Sequence, residues 1–455
     1  YSGAIKTNLY GAWLRVTGAR FTLGSWRLFG ILLVAGGIVL FCVLAGPALP
    51  PWALAVFLAL LLTDGTVLLA GRFDWGPVAL SLAIRLVLLG LWIGSEAGEE
   101  GATVRSSFGL GGLVGLAVFE KLSALVLVPV LAAMLLGSPR RRERRHVLAA
   151  MAGFASGALP LAAVHLGSLL FRGQPISLGT GPEVDRSLSG FLSFLRDYLT
   201  LGEGGAVRAF VLGLERLQWA EALEGGFAVA VCLILFFGTL RRGSRAGILL
   251  VGYAVVCLGL YALPRPTWAH HWLLGTPFLY AAVALALPGF QRDRGRRNAL
   301  GIALTAVVVL WLAARLPGVV RTERALAAGR ASSAWAPSLA ELGRFAAERA
   351  DGAVFVASDW GVATQILASS GGRPGLVYEP FWRFEGPEQL RTIEEESGAR
   401  VLYLVRLRHP HRIIPGAMER IERDLLTDPR WREVPVEPEA AGLKEVLVRK
   451  LVLRP

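Results

Sequence analysis

Cysteine is scarce in this sequence, with three residues in 455. All three lie inside apolar runs, at Cys42, Cys232 and Cys257. Such placement excludes a disulfide framework or a cysteine-based metal cluster as the basis of the fold. Charged residues are also few, at 18% of the chain, whereas hydrophobic residues make up 54% and the mean hydropathy is +0.53. This balance excludes an ordinary soluble enzyme and indicates a polytopic membrane protein.

Acidic residues are outnumbered, with 34 Asp and Glu against 47 Lys and Arg, which gives a formal net charge of +13. A basic chain can bind nucleic acid, but many of these arginines stand in short tracts between apolar runs, at 139–146, 241–245 and 292–297. Such tracts orient a membrane protein because they stay on the cytoplasmic side. We therefore expect a membrane, and no nucleic acid, as partner. The sequence begins with Tyr1 and shows no signal-like segment, so we expect its true N-terminus to be missing.

Long apolar runs fill residues 28–316 and predict a transmembrane domain of about ten spans. Residues 1–27 are amphipathic and predict a helix lying in the membrane interface, as part of the first extracytoplasmic loop. The three arginine tracts would then lie on one side of the membrane, which is the cytoplasmic side.

Two polar regions stand out from the apolar runs. Residues 172–224 are too polar to span, and their amphipathic pieces, 188–201 and 207–223, predict interfacial helices in an extracytoplasmic loop. Residues 317–455 alternate helix and strand patterns and predict an α/β domain. The expected fold class is therefore an α-helical polytopic membrane protein with a C-terminal extracytoplasmic α/β domain.

The turn at Asp74 joins two apolar runs that each contain a single charge. Residues 52–70 contain Asp64, and residues 77–94 contain Arg85. At about 1.5 Å per residue, both charges lie about 15 Å from the turn on antiparallel neighbours. A lone charge at that depth costs at least a few kcal/mol, so we predict a structural ion pair, with a direct role at a site as the alternative. Asp74 itself lies at the membrane face and is a candidate ligand or base, with a helix cap as the alternative.

Residues 108–136 are long for one crossing and are interrupted by Glu120 and Lys121. We predict two helices that meet at this pair on the outer face; a single tilted span with a buried Glu–Lys pair is the alternative. The turns on this face then gather Lys6, Tyr10, Asp74, Glu120, Lys121, His270 and His271. Such carboxylates, imidazoles and cations suit a site that binds a phosphate and moves a proton. The two adjacent histidines do not predict a zinc site, because their side chains diverge on a helix and no third ligand has useful spacing.

Several short motifs follow one another in a characteristic order along residues 1–316. Residues 5–14 are like K-P-P-L-Y-Y-W-L, with Thr7 and Asn8 in place of the two prolines. They are followed by an R-L pair at 27–28, an Asp between spans at Asp74, a T-K-G-like turn at 119–121 and an R-Y-L-like triplet at 271–273. In this order and on one membrane side, they resemble the GT-C superfamily of lipid-linked-sugar glycosyltransferases, in particular the bacterial relatives of protein O-mannosyltransferases and aminoarabinose transferases.

The resemblance implies transfer of a sugar from a polyprenyl-phosphate donor to a lipid, glycan or protein acceptor at the extracytoplasmic face of a bacterial inner membrane. It implies that Lys6 and Lys121 hold the donor phosphate and that Asp74 orients the acceptor or assists the base. Tyr10, Glu120, His270 and His271 would line the same mouth. The family's main catalytic carboxylate would precede Tyr1. For Lys6, a snorkelling lysine at the membrane interface is the alternative, and for Lys121 and the two histidines the alternative is a structural role without function. No cofactor is indicated, and a divalent metal is left open.

Two rival functions belong to other classes. A lipid or sugar transporter would favour charged residues deep in several helices and internal repeats, whereas the sequence shows one deep pair and no repeat. A noncatalytic scaffold would display the C-terminal domain without a catalytic carboxylate in the full-length protein.

Overall fold

The computed structural model describes residues 4–19, 21–73, 78–97, 102–173, 185–239, 244–264, 267–291, 296–332, 335–373, 375–384, 386–409 and 416–454. In chain order, the helices are α1 (Ala4–Thr17), α2 (Leu23–Ala45), α3 (Pro51–Leu62), α4 (Gly65–Phe73), α5 (Val78–Ala97), α6 (Val104–Glu120), α7 (Leu127–Gly137), α8 (Arg144–Arg172), α9 (Leu188–Leu199), α10 (Gly205–Leu212), α11 (Gln218–Thr239), α12 (Arg245–Ala262), α13 (Ala269–Trp272), α14 (Thr276–Gln291), α15 (Arg296–Ala327), α16 (Ser338–Glu348), α17 (Val362–Ser369), α18 (Pro387–Ser397), α19 (Ala417–Thr427) and α20 (Pro438–Ala441). The strands are β1 (Ala353–Ala357), β2 (Val377–Tyr378), β3 (Val401–Leu407), β4 (Trp431–Val434) and β5 (Val446–Leu453).

Seven helical segments in this part of the chain are long and apolar enough to cross a membrane, and the bent pair α3–α4 adds an eighth candidate. Their burial inside the protein differs. Over 18 residues of each segment, 78% are buried in α5 and 83% in α13–α14, against 22% in α2 and in α8. Helices α5 and α14 therefore form the centre of the helical domain, whereas α2 and α8 present apolar side chains outward, as lipid-facing helices do. This is the multi-pass helical architecture that the apolar runs predict, although the described residues contain seven or eight candidate spans against the ten or so predicted. Residues 122–137 form a shorter apolar helical segment.

Helices α6 and α8 approach each other along two glycine pairs. Gly111 and Gly115 on α6 face the α8 backbone, and Gly153 and Gly157 on α8 face the α6 backbone. A Cβ atom added at any of the four would lie between 1.9 and 2.3 Å from a carbonyl oxygen of the other helix. Four-residue spacing of small residues places them on one face, which allows close helix contact inside a membrane.

The N-terminus of α6 and the C-terminus of α7 meet at a buried arginine. Arg141 donates to Glu96 from its Nε atom at 2.7 Å and to Ser107 from Nη1 at 2.7 Å. Ser138, just after α7, donates to the same Glu96 carboxylate at 2.8 Å. The chain therefore turns back between α6 and α7, as the Glu120–Lys121 interruption predicts. The ion pair also explains how an acidic residue lies beside an arginine tract.

The predicted continuous helix over residues 52–70 is wrong, because the chain bends by 65° between α3 and α4. Asp64 lies at the bend, where its Oδ1 atom accepts hydrogen bonds from the backbone N–H groups of Thr66 and Val67, both at 2.9 Å. This is the geometry of a helix N-cap, which offers the chain an alternative to the hydrogen bonds of a continuous helix.

The predicted interfacial helix over 207–223 is also wrong. Helix α10 ends at Gly213, which has a φ of +64°, and α11 begins at Gln218 inside the predicted loop. Glu224 at the expected loop boundary is 1% exposed. A glycine in the left-handed region ends helices readily, and it separates α10 from the long apolar helix. At the other boundary, α15 continues to Ala327, past the expected domain limit at 316.

The C-terminal domain is built on a five-stranded sheet with strand order β2-β1-β3-β5-β4. Strands β2, β1 and β3 are parallel, and β5 runs antiparallel to both β3 and β4. Helices α16 and α17 cover one face around Phe355, and α18 and α19 cover the other around Leu402. Both faces of a parallel sheet are expected to be buried in this way. The predicted α/β pattern agrees with this fold, apart from the four-residue strand β4, which the sequence pattern missed.

Aromatic side chains join this domain to the helical domain. The ring of Trp335 lies 5.3 Å from Phe73 at the end of α4, and the ring of Trp360 lies 5.6 Å from Phe210 in α10. The backbone N–H of Ser332 donates to the carbonyl of Val211 at 2.9 Å. The sheet domain is thus in contact with the end of the helical domain that carries the turn after α4.

Candidate functional site

Four residues singled out in the sequence lie together where α5, the α6–α7 break and α13 meet. They are Arg85, Lys121, His270 and His271, and they line a narrow cavity with a volume of about 10 Å³, close to what one water molecule needs. The other lining residues are Val78, Ser81, Ser123, Ala124 and Leu274. We call this cavity the cationic pocket.

Each basic side chain of the pocket is positioned by its own local structure. Arg85 lies one turn after Ser81 in α5, and its Nη1 atom donates to the Ser81 hydroxyl at 2.6 Å. Lys121 ends α6 with an extended backbone, at φ −152° and ψ 121°, so its side chain leaves the helical register. In α13, the Nδ1 atom of His271 accepts a hydrogen bond from the backbone N–H of Trp268 at 3.0 Å. The rings of His270 and His271 lie 4.1 Å apart.

Arg85 is 1% exposed, and its Nε atom has no hydrogen-bond partner among the residues that the structure describes. Within the described chain, the lining of the pocket contains no carboxylate. A buried guanidinium normally lies against a carboxylate, because removing a charge from water is unfavourable unless it is paired. The hydroxyl of Ser123 on the opposite wall is likewise a buried polar group without a partner among the described residues. Among the described residues, the pocket therefore presents donors and positive charge without a carboxylate to balance them.

The surroundings of Lys121 favour the neutral form of its amine. Burial of its amine and the nearby Arg85 guanidinium lower the pKa of Lys121 to about 7, although the Glu120 carboxylate acts in the opposite direction. Two cations in one buried space repel each other, and an anion between them relieves that repulsion. Arginine, lysine and imidazole donors around one cavity are the groups that proteins use to bind phosphate.

Lys6, Tyr10 and Glu120 form a separate cluster that does not line the pocket. The Oε2 atom of Glu120 accepts from the backbone N–H groups of Ile5 at 2.7 Å and Lys6 at 3.3 Å, so it caps the N-terminus of α1. The amine of Lys6 lies 3.6 Å from the ring centroid of Trp26.

The rest of this cluster fixes α1 against α2. Lys6 is 1% exposed and Tyr10 is 3% exposed. The hydroxyls of Tyr10 and Ser25 lie 2.7 Å apart. Burial lowers the pKa of Lys6 to about 7, despite the opposing charge of Glu120. Both residues are enclosed between helices and neither lines the cationic pocket, so their place in one mouth with the histidines stays a prediction.

The predicted ion pair between Asp64 and Arg85 is not formed. Asp64 instead accepts a hydrogen bond from the hydroxyl of Tyr280 at 2.6 Å. That hydroxyl accepts in turn from Nη2 of Arg315 at 2.8 Å, and Arg315 forms a buried ion pair with Glu224 at 2.5 Å. Because the bend after α3 moves Asp64 off the helical register, equal distance from the turn does not bring it to Arg85. We call these four residues the buried network.

No sequence pattern indicates the buried network as a whole. Glu224 falls in the polar region 172–224 and Arg315 at the end of the apolar runs, yet they are 1% and 2% exposed. A charged residue inside an apolar run, as Arg315 is, is the available signal. For the cationic pocket, the signal is Ser81 four residues before Arg85, because that spacing places both side chains on one helix face.

Two predictions at the site remain untested. Asp74 lies outside the described residues. Among the described residues, no group of three or more His, Cys, Asp or Glu side chains could hold a metal ion; whether a divalent metal takes part stays an open prediction.

Comparison with known proteins adds no relative to these observations. No protein-family model, no curated protein and no solved structure matches the chain.

Proposed function

We propose that the chain is a membrane glycosyltransferase that takes a sugar from a polyprenyl-phosphate donor, and that the cationic pocket binds the donor phosphate. One observation carries this proposal. The guanidinium of Arg85 is buried without a carboxylate partner among the described residues, and it faces Lys121 and two imidazoles across one cavity. Such an arrangement is complementary to an anion with several acceptor oxygens.

A lipid phosphate fits the location of the pocket. Two of its walls come from α5 and from the start of the Ala269–Phe290 segment, and both segments are long and apolar enough to cross a membrane. A phosphate is larger than this cavity, so the pocket walls move apart when it binds, while the polyprenyl tail stays in the hydrocarbon layer. The resemblance of the motifs to lipid-linked-sugar glycosyltransferases supports the same class of donor.

The residues of the pocket have distinct roles in this proposal. Arg85 and Lys121 bind the phosphate and stabilise the negative charge that develops on it as the bond to the sugar breaks. His270 and His271 line the same cavity and orient the donor. Asp74 precedes the lining residue Val78 by four positions, and we retain its role of orienting the acceptor. Lys6, Tyr10 and Glu120 hold α1 in place and do not contact the donor.

The orientation in the membrane is part of the proposal. The pocket lies at the N-terminal end of α5, whereas Glu96 near the C-terminal end of α5 binds Arg141 of the arginine tract. By the positive-inside rule the tract is cytoplasmic, so the pocket and the sheet domain are extracytoplasmic. In a bacterial inner membrane this orientation allows transfer to a lipid, glycan or protein outside the cytoplasm.

A transporter is the second candidate, because two observations favour it. Helices α3 and α4 form a bent pair, and buried charged residues come from several helices: Asp64, Arg85, Glu224 and Arg315. Discontinuous helices and deep charges are typical of transporter binding sites. In the buried network, however, the charges bind one another, which makes it a structural element of the helical domain.

The test uses the full-length protein in nanodiscs with radiolabelled polyprenyl-phosphate sugars and a membrane extract. We expect release of lipid phosphate by the wild type and strong loss in Arg85→Gln and Asp74→Asn. Arg72→Gln is the matched control, because Arg72 is half exposed, pairs with Glu323 and lies outside the pocket. Uptake of labelled donor into proteoliposomes without cleavage would favour the transporter. Folded protein that neither cleaves nor moves any donor would leave the noncatalytic scaffold.

A further inference from the structure

The charged groups around Lys121 come from three elements. Arg85 faces it from α5, His270 and His271 face it from α13, and Glu120 precedes it in the chain. Among these described residues, Glu120 is the only acid. Its Oε2 atom accepts hydrogen bonds from the backbone N–H groups of Ile5 and Lys6 in α1. Lys121 therefore adds a positive charge to a space that already contains the guanidinium of Arg85.

We propose that Lys121 takes up a proton when a phosphate group enters the cationic pocket, so that phosphate binding and protonation of the pocket are coupled. The geometry carries the proposal, because the ammonium form of Lys121 faces a buried guanidinium when no anion is present and faces a phosphate when one is bound. The proposal rests on the proposed function for the identity of the ligand as a lipid phosphate.

The electrostatics give the direction of the coupling. Burial and Arg85 lower the pKa of Lys121 to about 7, so without phosphate about half of the molecules carry a neutral amine at pH 7. An anion within about 4–6 Å raises the pKa of a cation by about 1–3 units. The bound state is thus protonated at pH 7, whereas the unbound state is only half protonated.

A proton balance follows from these two states. Binding should take up about half a proton at pH 7, little near pH 5.5, where both states are protonated, and about 0.4–0.9 of a proton at pH 8. For a ligand whose own charge is constant, the dissociation constant should be nearly level below pH 6 and should rise up to about tenfold per pH unit above pH 7.5. Release of a lipid phosphodiester, whose charge is constant, is therefore favoured as the pH rises.

The experiment measures binding of dodecyl methyl phosphate to the full-length protein in nanodiscs by titration calorimetry. This phosphodiester carries one negative charge throughout the pH range used, so any proton taken up is taken up by the protein. Two buffers of different ionisation enthalpy at each pH give the number of protons bound. Dimethyl phosphate, which has the same charge without the chain, distinguishes a site for phosphate alone from a site for a lipid phosphate.

Lys121→Arg is the decisive variant, because arginine keeps the positive charge but does not titrate in this range. We expect it to bind the phosphodiester without proton uptake and with a dissociation constant that is level with pH. Arg72→Gln, which lies outside the pocket, is the control and should keep the uptake. His270→Gln and His271→Gln test whether an imidazole takes up the proton instead, and the binding that remains in them should still be accompanied by uptake. If Lys121→Arg does not fold, the proton uptake of the wild type and of Lys121→Met provides the same test.

Several outcomes overturn the inference. They are binding without uptake at pH 7 and 8, uptake that persists in Lys121→Arg but is lost in a histidine variant, or no phosphodiester binding at all. The outcomes also separate the two proposals. Sugar transfer with binding but no uptake leaves the proposed function intact and removes the coupling, whereas proton-linked binding without transfer from any donor removes the enzyme and leaves the coupling.

Discussion

Replacing Gly153 by alanine tests the contact between α6 and α8 directly. The new Cβ would lie 2.0 Å from the carbonyl oxygen of Phe108, whereas ordinary contacts begin near 3.4 Å. No side-chain rotation can relieve a clash between Cβ and backbone, so the two helices must move apart by about 1.4 Å at this point. Overpacking of this kind costs about 1–3 kcal/mol.

Gly167→Ala is the matched control in the same helix, because nothing lies within 4 Å of its added Cβ. Both substitutions gain the helix propensity of alanine over glycine, about 0.8–1.0 kcal/mol. This gain cancels in the comparison, so the two variants should differ by the overpacking energy alone. We expect Gly167→Ala to be slightly more stable than the wild type and Gly153→Ala to be less stable.

The measurement is the free energy of unfolding in mixed micelles with increasing dodecyl sulfate. A difference of about 1–3 kcal/mol between the two variants is the expected result. Equal stability of Gly153→Ala and Gly167→Ala would refute the reasoning, since it would mean that the two helices are not in contact at Gly153.

Three further predictions concern charged groups. Arg85→Gln should weaken binding of dodecyl methyl phosphate by about 10- to 150-fold, the equivalent of about 1.5–3 kcal/mol for a charge-assisted hydrogen bond, whereas Arg72→Gln should not; equal affinities in calorimetry would contradict this. Glu96→Ala should lower the free energy of unfolding by about 3 kcal/mol, because it leaves Arg141 buried without its carboxylate, and wild-type stability in the same micelle titration would disprove the role of the pair. Lys6→Met should flatten the pH dependence of stability. The pKa of Lys6 is about 7 in the folded protein and 10.5 without burial, so the unfolded state binds more protons between pH 7 and 10.5. The free energy of unfolding of the wild type should therefore rise with pH in this range. Unfolding titrations at pH 7, 8 and 9 check this slope, and an identical slope in the variant would count against it.

Periodicity and composition predicted most of the helices and strands, because these depend on local pattern. The helix and strand patterns predicted within 317–455, for example, correspond to elements such as β1 and α18. β4 escaped prediction because four residues are too few to show alternation. The split between α10 and α11 escaped because amphipathic patterns on both sides of Gly213 run together in the sequence.

The site was harder to predict than the fold, because ion pairing depends on three-dimensional register. Counting residues placed Asp64 and Arg85 at equal depth, but an aspartate that caps a new helix turns the chain away from its neighbour. Arg85, predicted as a structural partner, instead lines the pocket with Lys121 and the two histidines. The sequence could predict that Lys121, His270 and His271 lie close together, because arginine tracts show which loops share one side of the membrane.

The end of α6 places two consecutive residues in two different structures. Glu120 holds the first turn of α1 by its backbone, and Lys121 extends into the wall of the cationic pocket. A single peptide unit joins them, so a shift large enough to lift α1 also displaces the amine of Lys121. The seating of a surface helix and the shape of an internal cavity are therefore mechanically linked, and a lipid or protein that pulls on α1 would act at a distance on the pocket.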